Sequence, residues 1–478
     1  MKIELPDNVR LIINELAKHG FEAFAVGGCV RDSLLGRTPG DWDITTSALP
    51  EDIKSVFRRT VDTGIEHGTV TVLIGSESYE VTTYRIDGEY RDSRHPSSVE
   101  FTDAISEDLR RRDFTINAMA YNDESGFVDL FGGREDLKRG LIRCVGNADE
   151  RFDEDALRIL RAVRFAAQLD FDIDTDTRNA ISTHAPRLKA VSRERVLVEI
   201  SKLICSAHIE KTADIFQLGI VPYIAEHFRE INIAQLMDLK KSAIKAAAYQ
   251  AYISSQFTAD TAEADETEYA SADNAYGAAD AMNENAACGS AEKKDGDAAA
   301  ENIPDSAFDL CADTPVAYRY IRFALLTEGV GGKNVDAMLK ALKADNITRK
   351  NAALLAEHIL KPIASDTVEI KQTMSGMSPA LFAALLRLKL ISSQSMLYKK
   401  ECGEEDICSL IDITNGISDR EEPVYISELA VGGEDIKKCG AAEGPAIGKL
   451  LNAMLKEVWQ NPEHNSREWL LNNMMKLR

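Results

Sequence analysis

The sequence predicts an α/β head, a mixed sheet with helices, followed by an all-α neck, body and tail. Three observations carry this. Short apolar runs of strand length alternate with helix-spaced patterns as far as about residue 140. From Asp153 onward the strand signals fade and apolar residues recur at helical spacing. The helical part is interrupted at 257–313 by a tract made largely of Ala, Asp, Glu, Asn, Ser and Gly, too poor in apolar side chains to offset the entropy of ordering it.

Val9, Ile12, Ile13, Leu16 and Ala17 mark a helix over 8–19, which His19-Gly20 ends before the short apolar strand at 23–26. Gly27-Gly28 and a second helix follow. Further strands are expected at 41–45, 69–74, 79–85 and 99–101, with a polar loop over 87–98. Helices are expected at 153–168, 175–184, 193–205, 211–218 and 232–253, then at 315–327 and onward to the end, broken near 329, 365, 402 and 432. No fixed-period repeat is present. The boundaries that follow are a head at 1–140, a neck at 141–205, a first part of the body at 206–256, an insert at 257–313 expected to be disordered, and the remaining body and tail at 314–478.

A chain of 478 residues is too long for one ordinary core and implies about three packed units. Its formal net charge of -22 argues against a nucleic-acid partner until the charge is located. The 257–313 tract holds about 15 carboxylates against Lys293 and Lys294, roughly -13, which leaves about -9 for everything else and permits a local basic groove. The eight cysteines are scattered without a C-x-x-C, so neither a disulfide framework nor a thiolate zinc site is signalled. With no apolar run long enough to span a bilayer, a soluble cytoplasmic protein with reduced thiols is expected.

Asp41-Trp42-Asp43 is the first chemical constellation. Alternate residues of a strand point the same way, so the two carboxylates share a face while Trp42 and Ile44 point to the core. Paired hard carboxylates suit Mg²⁺, and two such ions about 3.5–4 Å apart can activate an attacking hydroxyl and stabilise a leaving pyrophosphate. Alone, such a pair is also common on solvated strands and turns. Just upstream, however, Gly27-Gly28-Cys29-Val30-Arg31-Asp32 stands between a strand and a helix, where glycines let a triphosphate approach backbone N–H groups and Arg31 can reach a phosphate. Glu80 is the local candidate for a third metal-side carboxylate, its alternative being the solvent face of an amphipathic strand.

Arg111-Arg112-Asp113-Phe114-Thr115-Ile116-Asn117 offers Asp113 to a ribose 2′-hydroxyl, Arg112 to phosphate or base, and Asn117 to orient the loop. Glu154-Asp155-Ala156-Leu157-Arg158, continuing to Arg161 and Arg164, places 155 and 158 on one helical face, with Leu157, Leu160, Val163 and Phe165 on the buried side. Either segment alone can be an ordinary charged helix surface. A carboxylate only accepts and a guanidinium only donates. Cytosine and adenine both present an amino donor beside a ring acceptor, and guanine and uracil present the reverse. An Asp155/Arg158 pair therefore matches C and A and leaves G and U with unpaired buried groups, a penalty that can reach about 10⁴.

These motifs together resemble the bacterial class II CCA-adding enzymes of the polymerase-β nucleotidyltransferase superfamily, which also includes bacterial poly(A) polymerases. The resemblance covers roughly 20–205: FAVGGCVRD at 24–32, GDWDITTSA at 40–48, RRDFTINAMA at 111–120, DLFGG at 129–133, RFDEDALRILRAVRF at 151–165 and ERVLVE at 194–199. It implies an α/β nucleotidyltransferase head with Gly28 and Arg31 on triphosphate, Asp41 and Asp43 on two Mg²⁺ ions, and Arg112 and Asp113 on the nucleotide. Asp155, Arg158, Arg161 and Arg164 would then serve base and phosphates, and 129–136 would join head to neck. Gly444-Pro445-Ala446-Ile447-Gly448 and Asn465-Ser466-Arg467 resemble the family's tail, which grips the tRNA elbow. The implied activity is addition of CCA to the tRNA 3′ end from CTP and ATP. A poly(A) polymerase would share the head motifs, and a CC- or A-adding specialist most of them. The 85–98 loop is full length, whereas it is shortened in CC-only relatives, which favours complete CCA addition. An inactive RNA-binding relative has no reason to keep both metal and base selectors. The insert has no counterpart in the family, and no histidine is followed by Asp, so the phosphohydrolase domain appended in some relatives is not expected.

Overall fold

The computed structural model describes residues 2–88, 99–206, 208–232, 319–393, 404–440 and 444–477. The chain divides into two compact units, Met1–Ile233 with Ala337–Asp345, and Ala234–Asp336 with Asn346–Arg478. The expected loop residues 89–98, nearly all of the expected helix at 232–253 and the insert at 257–313 lie outside the described residues.

In chain order the first unit begins with α1 (Asp7–Lys18), β1 (Ala23–Val26), α2 (Gly28–Leu34), β2 (Ile44–Thr46), α3 (Pro50–Val56), β3 (Thr60–Gly64), β4 (Thr69–Ile74) and β5 (Glu77–Thr83). It continues with β6 (Arg85–Asp87), β7 (Val99–Phe101), α4 (Ile105–Arg110), β8 (Ala120–Asn122), β9 (Gly126–Val128) and α5 (Gly133–Arg139). Then follow β10 (Leu141–Ile142), α6 (Ala148–Glu154), α7 (Leu157–Leu169), β11 (Asp172–Ile173), α8 (Thr175–His184), α9 (Arg193–Ile204) and α10 (Ala213–Gln217).

Seven strands form one mixed sheet in the order β3-β4-β5-β2-β1-β8-β9. Within it β2 and β5 run parallel, with Ile44 opposite Val81, and the other described pairs are antiparallel. Period-2 alternation divides β1 between two cores. Ala23 and Ala25 join Val9, Ile12, Ile13 and Leu16 of α1, while Phe24 and Val26 pack with Tyr84, Leu109 and Ala120. The strand thus runs between two apolar layers, which is why all four of its residues are buried.

Three expectations are corrected. The strand placed at 41–45 begins at Ile44, and Asp41-Trp42-Asp43 is an extended lead-in whose Asp43 carbonyl accepts the Val26 N–H at 3.0 Å. The 79–85 strand is displaced to Glu77–Thr83, and Arg85 already belongs to β6, which pairs with β7. The single helix expected at 153–168 is two: α6 ends at Glu154, Asp155 takes an extended conformation at φ -141 and ψ 103, and α7 starts at Leu157. The cause is local competition, because the Asp155 carboxylate accepts the Leu157 N–H at 3.0 Å and turns the chain as an aspartate cap does.

The second unit is helical among its described residues, with helices that include Asn346–His358, Thr367–Ser375, Pro379–Ser393, Glu404–Asp419 and Pro445–Gln460. Its tail core gathers Leu450, Met454, Val458 and Trp459 with Ile436 and Leu470. Two lysines are buried there. Lys371 meets Glu422 at 2.6 Å, and Lys389 donates to the carbonyls of Ile359 and Lys361, satisfying the end of Asn346–His358. Among the described residues no helix is long and apolar enough to cross a membrane.

Candidate nucleotide-transfer site

Asp41, Asp43 and Glu80 are exposed, at the edge where β2 and β5 begin to pair. Because those strands are parallel with Ile44 beside Val81, one step back along the register brings Asp43 level with Glu80 on the same face. Their charges are felt mutually. Crowding by surrounding atoms, then the Asp43 and Asp41 charges, raise the Glu80 carboxyl above its ordinary value. Asp43 is raised by partial desolvation and by Asp41, against the opposing pull of Arg112. Half-buried Trp42 packs on the core and keeps the two aspartates turned outward.

Among the described residues, no three His, Cys, Asp or Glu groups stand close enough to hold a metal ion unaided. A cation on Asp41 and Asp43 would therefore complete its shell with water and phosphate oxygens. That donor set fits Mg²⁺, which dehydrates reluctantly and shares carboxylates with substrate phosphates.

The turn before α2 needs glycine at position 27. Its φ is +84°, and a Cβ there would come 3.1 Å from Nη1 of Arg112. Gly28 opens α2 with ordinary space around it. Arg31 is mostly buried and donates Nε and Nη2 to the two oxygens of Asp32, both at 2.8 Å, and Nη1 to Oδ1 of Asn117 at 2.7 Å. Its guanidinium lies 5.2 Å from the Phe165 ring. The same ring is approached by Arg161 at 5.3 Å and Arg164 at 3.9 Å, so three cations converge on one aromatic ring.

Asp113 lies beneath them with every lone pair used. Oδ1 accepts the Phe114 N–H at 2.8 Å and the Asn117 amide at 3.1 Å, while Oδ2 accepts Nε and Nη2 of Arg161 at 2.8 and 2.7 Å. Burial alone would raise this carboxyl, but Arg161, the Asn117 amide and Arg158 outweigh it and hold it far below the usual range. A ribose hydroxyl would have to share an oxygen already engaged. Arg164 is turned inward, donating Nε to Glu199 at 2.6 Å and Nη1 to Gln168 at 2.7 Å, and its burial pulls its affinity for the proton down.

The break at Asp155 has a consequence for the proposed base reader: 155 and 158 do not share one continuous helical face. Arg158 donates to Glu154 at 2.6 Å and to the backbone carbonyls of Arg151 and Arg111 at 3.2 and 2.8 Å. Asp155 instead meets Arg195 of α9, at 2.7 Å from Oδ2 and 3.4 Å from Oδ1. Sequence reasoning did not single out Asp108, Arg195 or Glu199 as site residues. Asp108 was within reach of it, since it precedes Arg111 and Arg112 by three and four positions, the spacing of helical ion pairs.

Residues 23–143 match the model of the Poly A polymerase head domain, and residues 170–230 the one described as a probable RNA and SrmB-binding site of polymerase A. The CCA-adding enzyme of Leuconostoc mesenteroides is 50% identical over 204 residues, which is 43% of this chain and 51% of that protein. That of Geobacillus thermodenitrificans is 46% identical over 239 residues, 50% of this chain and 57% of the relative. The chain thus spans about half the length of the curated relatives it matches. The crystal structure of the Bacillus stearothermophilus CCA-adding enzyme in complex with CTP is similar over 98% of both chains, with a TM-score of 0.67 and 28% identity. Residues 23–143 thus match a poly(A) polymerase head domain, and the chain is similar to CCA-adding enzymes over the part that those relatives share with it.

Proposed function

We propose that this chain adds CCA to the 3′ end of tRNA, using CTP and ATP and releasing pyrophosphate, without a template. The observation that carries the reading is a chain of contacts from one set of groups to the other. Arg158 bonds the backbone of Arg111, whose neighbour Arg112 lies over Gly27 within the field of Asp43. These contacts support a reading in which metal-side carboxylates and base-side donors border one site.

In this reading Asp41 and Asp43, with Glu80 beside them, hold two Mg²⁺ ions. Bound there, the metal supplies activation of the tRNA 3′ hydroxyl and neutralises charge on the leaving pyrophosphate. The protein's own part is positioning and selection. The Gly27-Gly28 turn lets the triphosphate approach backbone N–H groups, and Arg31, Arg112, Arg161 and Arg164 set a positive field around it. Asp113 and Asn117 keep that field ordered. Asp155 as acceptor and Arg158 as donor take the edge shared by C and A and reject G and U.

The head at 1–140 carries the chemistry, the neck at 141–205 the selection, and the body and tail hold the tRNA 3′ end and elbow. In this reading the activity is cytoplasmic, in keeping with the free thiols of Cys29, Cys144 and Cys439. A bound complex of a similar protein with CTP supports the nucleotide assignment. The second reading is a poly(A) polymerase, favoured by the match of 23–143 to a head domain described for such enzymes. Incubation with tRNA ending before CCA, plus CTP and ATP, followed by product sequencing, separates the two. Complete CCA ends are expected; long A tails, or arrest after CC, would overturn the reading.

A further inference from the structure

Asp108 on α4 has no solvent exposure. Its Oδ1 accepts Nε and Nη2 of Arg111 at 2.9 and 2.7 Å, and its Oδ2 accepts Nη2 of Arg112 at 3.1 Å and the Thr45 hydroxyl at 3.2 Å. A buried carboxylate is costly unless it is paired and fully bonded, and this one is. Thr45 lies on β2, two residues beyond Asp43, so one carboxylate joins the strand behind the aspartate pair to the arginine facing it. The other end of Arg112 reaches over Gly27, where its Nη1 occupies the space a side chain would fill. Its Nε is buried without a hydrogen-bond partner. Two carboxylates therefore compete for this guanidinium: Asp108, which is bonded to it, and Asp43, which feels its charge.

We infer that Asp108 tethers Arg112 so that its guanidinium spans Gly27 without closing on Asp43, leaving the aspartate pair open to a divalent cation and Arg112 open to an anionic substrate; this rests on the nucleotide reading of Arg112. Asp108 is a positioning residue and touches no substrate itself. Released from it, Arg112 turns to the nearest unpaired carboxylates, Asp43 and Asp41, and occupies the cation's seat as a fixed internal counterion.

The test uses the full chain and two probes, Mn²⁺ alone followed by electron paramagnetic resonance, and CTP by equilibrium dialysis without metal. Asp108→Asn should weaken Mn²⁺ binding by about tenfold and CTP binding by a similar factor, the scale of one charge interaction at a partly solvated site. Adding Arg112→Ala to Asp108→Asn should bring Mn²⁺ binding back to the parent level, a rescue that a general structural defect would not give. Mn²⁺ affinity unchanged in Asp108→Asn, or a loss that persists in the double variant, overturns the tether. CTP binding unchanged in Arg112→Ala alone overturns the nucleotide reading of Arg112 and the substrate half of the inference with it. Should Asp108→Asn melt below the assay temperature, Asp108→Ala with Arg111→Met, which removes carboxylate and bidentate partner together, is read in its place with the same outcomes.

Discussion

Asp155 is bonded to Arg195, forty residues further along the chain, at 2.7 Å, while Arg158 is bonded to Glu154 at 2.6 Å. The proposed acceptor and donor of the base reader are each held by a separate partner, so their orientation is set before a base arrives. Arg195→Ala removes the Arg195 fork from the Asp155 carboxylate and leaves its Oδ1 on the Leu157 N–H. Discrimination of CTP over UTP should fall by roughly 10- to 100-fold while kcat with CTP changes much less. Arg195→Lys should restore only part of it, since a lysine lacks the fork that reaches both carboxylate oxygens. Single-nucleotide incorporation assays decide this, and an equal fall for all four nucleotides would reduce Arg195 to a folding contact.

Asp43→Ala should lower turnover by ~10³-fold or more, in line with the several kcal/mol that metal-assisted charge stabilisation supplies. Binding of tRNA, measured by gel shift, should stay within about twofold, because contacts to a nucleic-acid backbone are spread over many residues. Turnover that survives the substitution would leave the carboxylate pair without a catalytic part.

Acid should unfold the first unit through Asp113 and Asp108. Both carboxyls are held below their unfolded values, Asp113 by Arg161, Asn117 and Arg158 outweighing burial, and Asp108 by Arg112 and Arg111 outweighing burial. A lowered native value means the unfolded state binds protons first as pH falls. Their contribution is complete above the unfolded carboxylate value of about 3.9 and is lost progressively below it. Melting temperature followed from pH 7 down to pH 3 should therefore drop steeply below about pH 4, and less steeply in Asp113→Asn, which has no proton to take up. Parallel curves for the two proteins would contradict the assignment.

Thiol chemistry should separate the cysteines by burial. Burial and the Asp43 charge push Cys29 up to about 12, and burial pushes Cys144 up to about 12, whereas Cys439 is exposed. Iodoacetamide at pH 8 should label Cys439 within minutes and leave Cys29 and Cys144 unmodified until denaturant is added, as peptide mapping would reveal. Early labelling of Cys29 would mean that the core behind Asp43 opens.

Two glycine substitutions should move stability in opposite directions. A Cβ on Gly133 would lie 2.2 Å from the Thr115 carbonyl oxygen, so Gly133→Ala forces backbone apart and should cost about 1–3 kcal/mol. Gly448 sits inside the helix Pro445–Gln460 with nothing within 4 Å of an added Cβ, and Gly448→Ala should gain about 0.5–1 kcal/mol. Denaturant melts of each variant give both signs directly.

Much of the head was readable because its signals are local. The apolar run at 23–26 and the glycines after it depend on near neighbours and fall where the pattern puts them, whereas the aspartates at 41 and 43 lie just before the strand expected to hold them. Strand β3 escaped notice because Thr60–Gly64 is largely exposed and Val61, its apolar member, faces solvent. The break at Asp155 was hidden for another reason. The segment from Arg151 to Phe165 holds no Gly or Pro, and its helical spacing runs straight through; the turn comes from a side chain capping its own backbone and from an arginine on α9. Glu199 and Arg195 became visible only when α9 was packed against α7, since charge partners 35 and 40 residues apart leave no periodic trace.

That interruption between α6 and α7 gives the protein a joint where a rod was expected. Glu154 and Asp155 belong to the end of one short helix, and Arg158 to the first turn of the next. Cytosine and adenine offer the same hydrogen-bonding edge at different distances from the sugar, because one is a single ring and the other a fused pair. On the proposed reading, a straight helix would present acceptor and donor at one depth, whereas here they stand on two segments joined by the Glu154–Arg158 bond, so that a turn of the few dihedrals at Asp155 would alter that depth with no exchange of side chains.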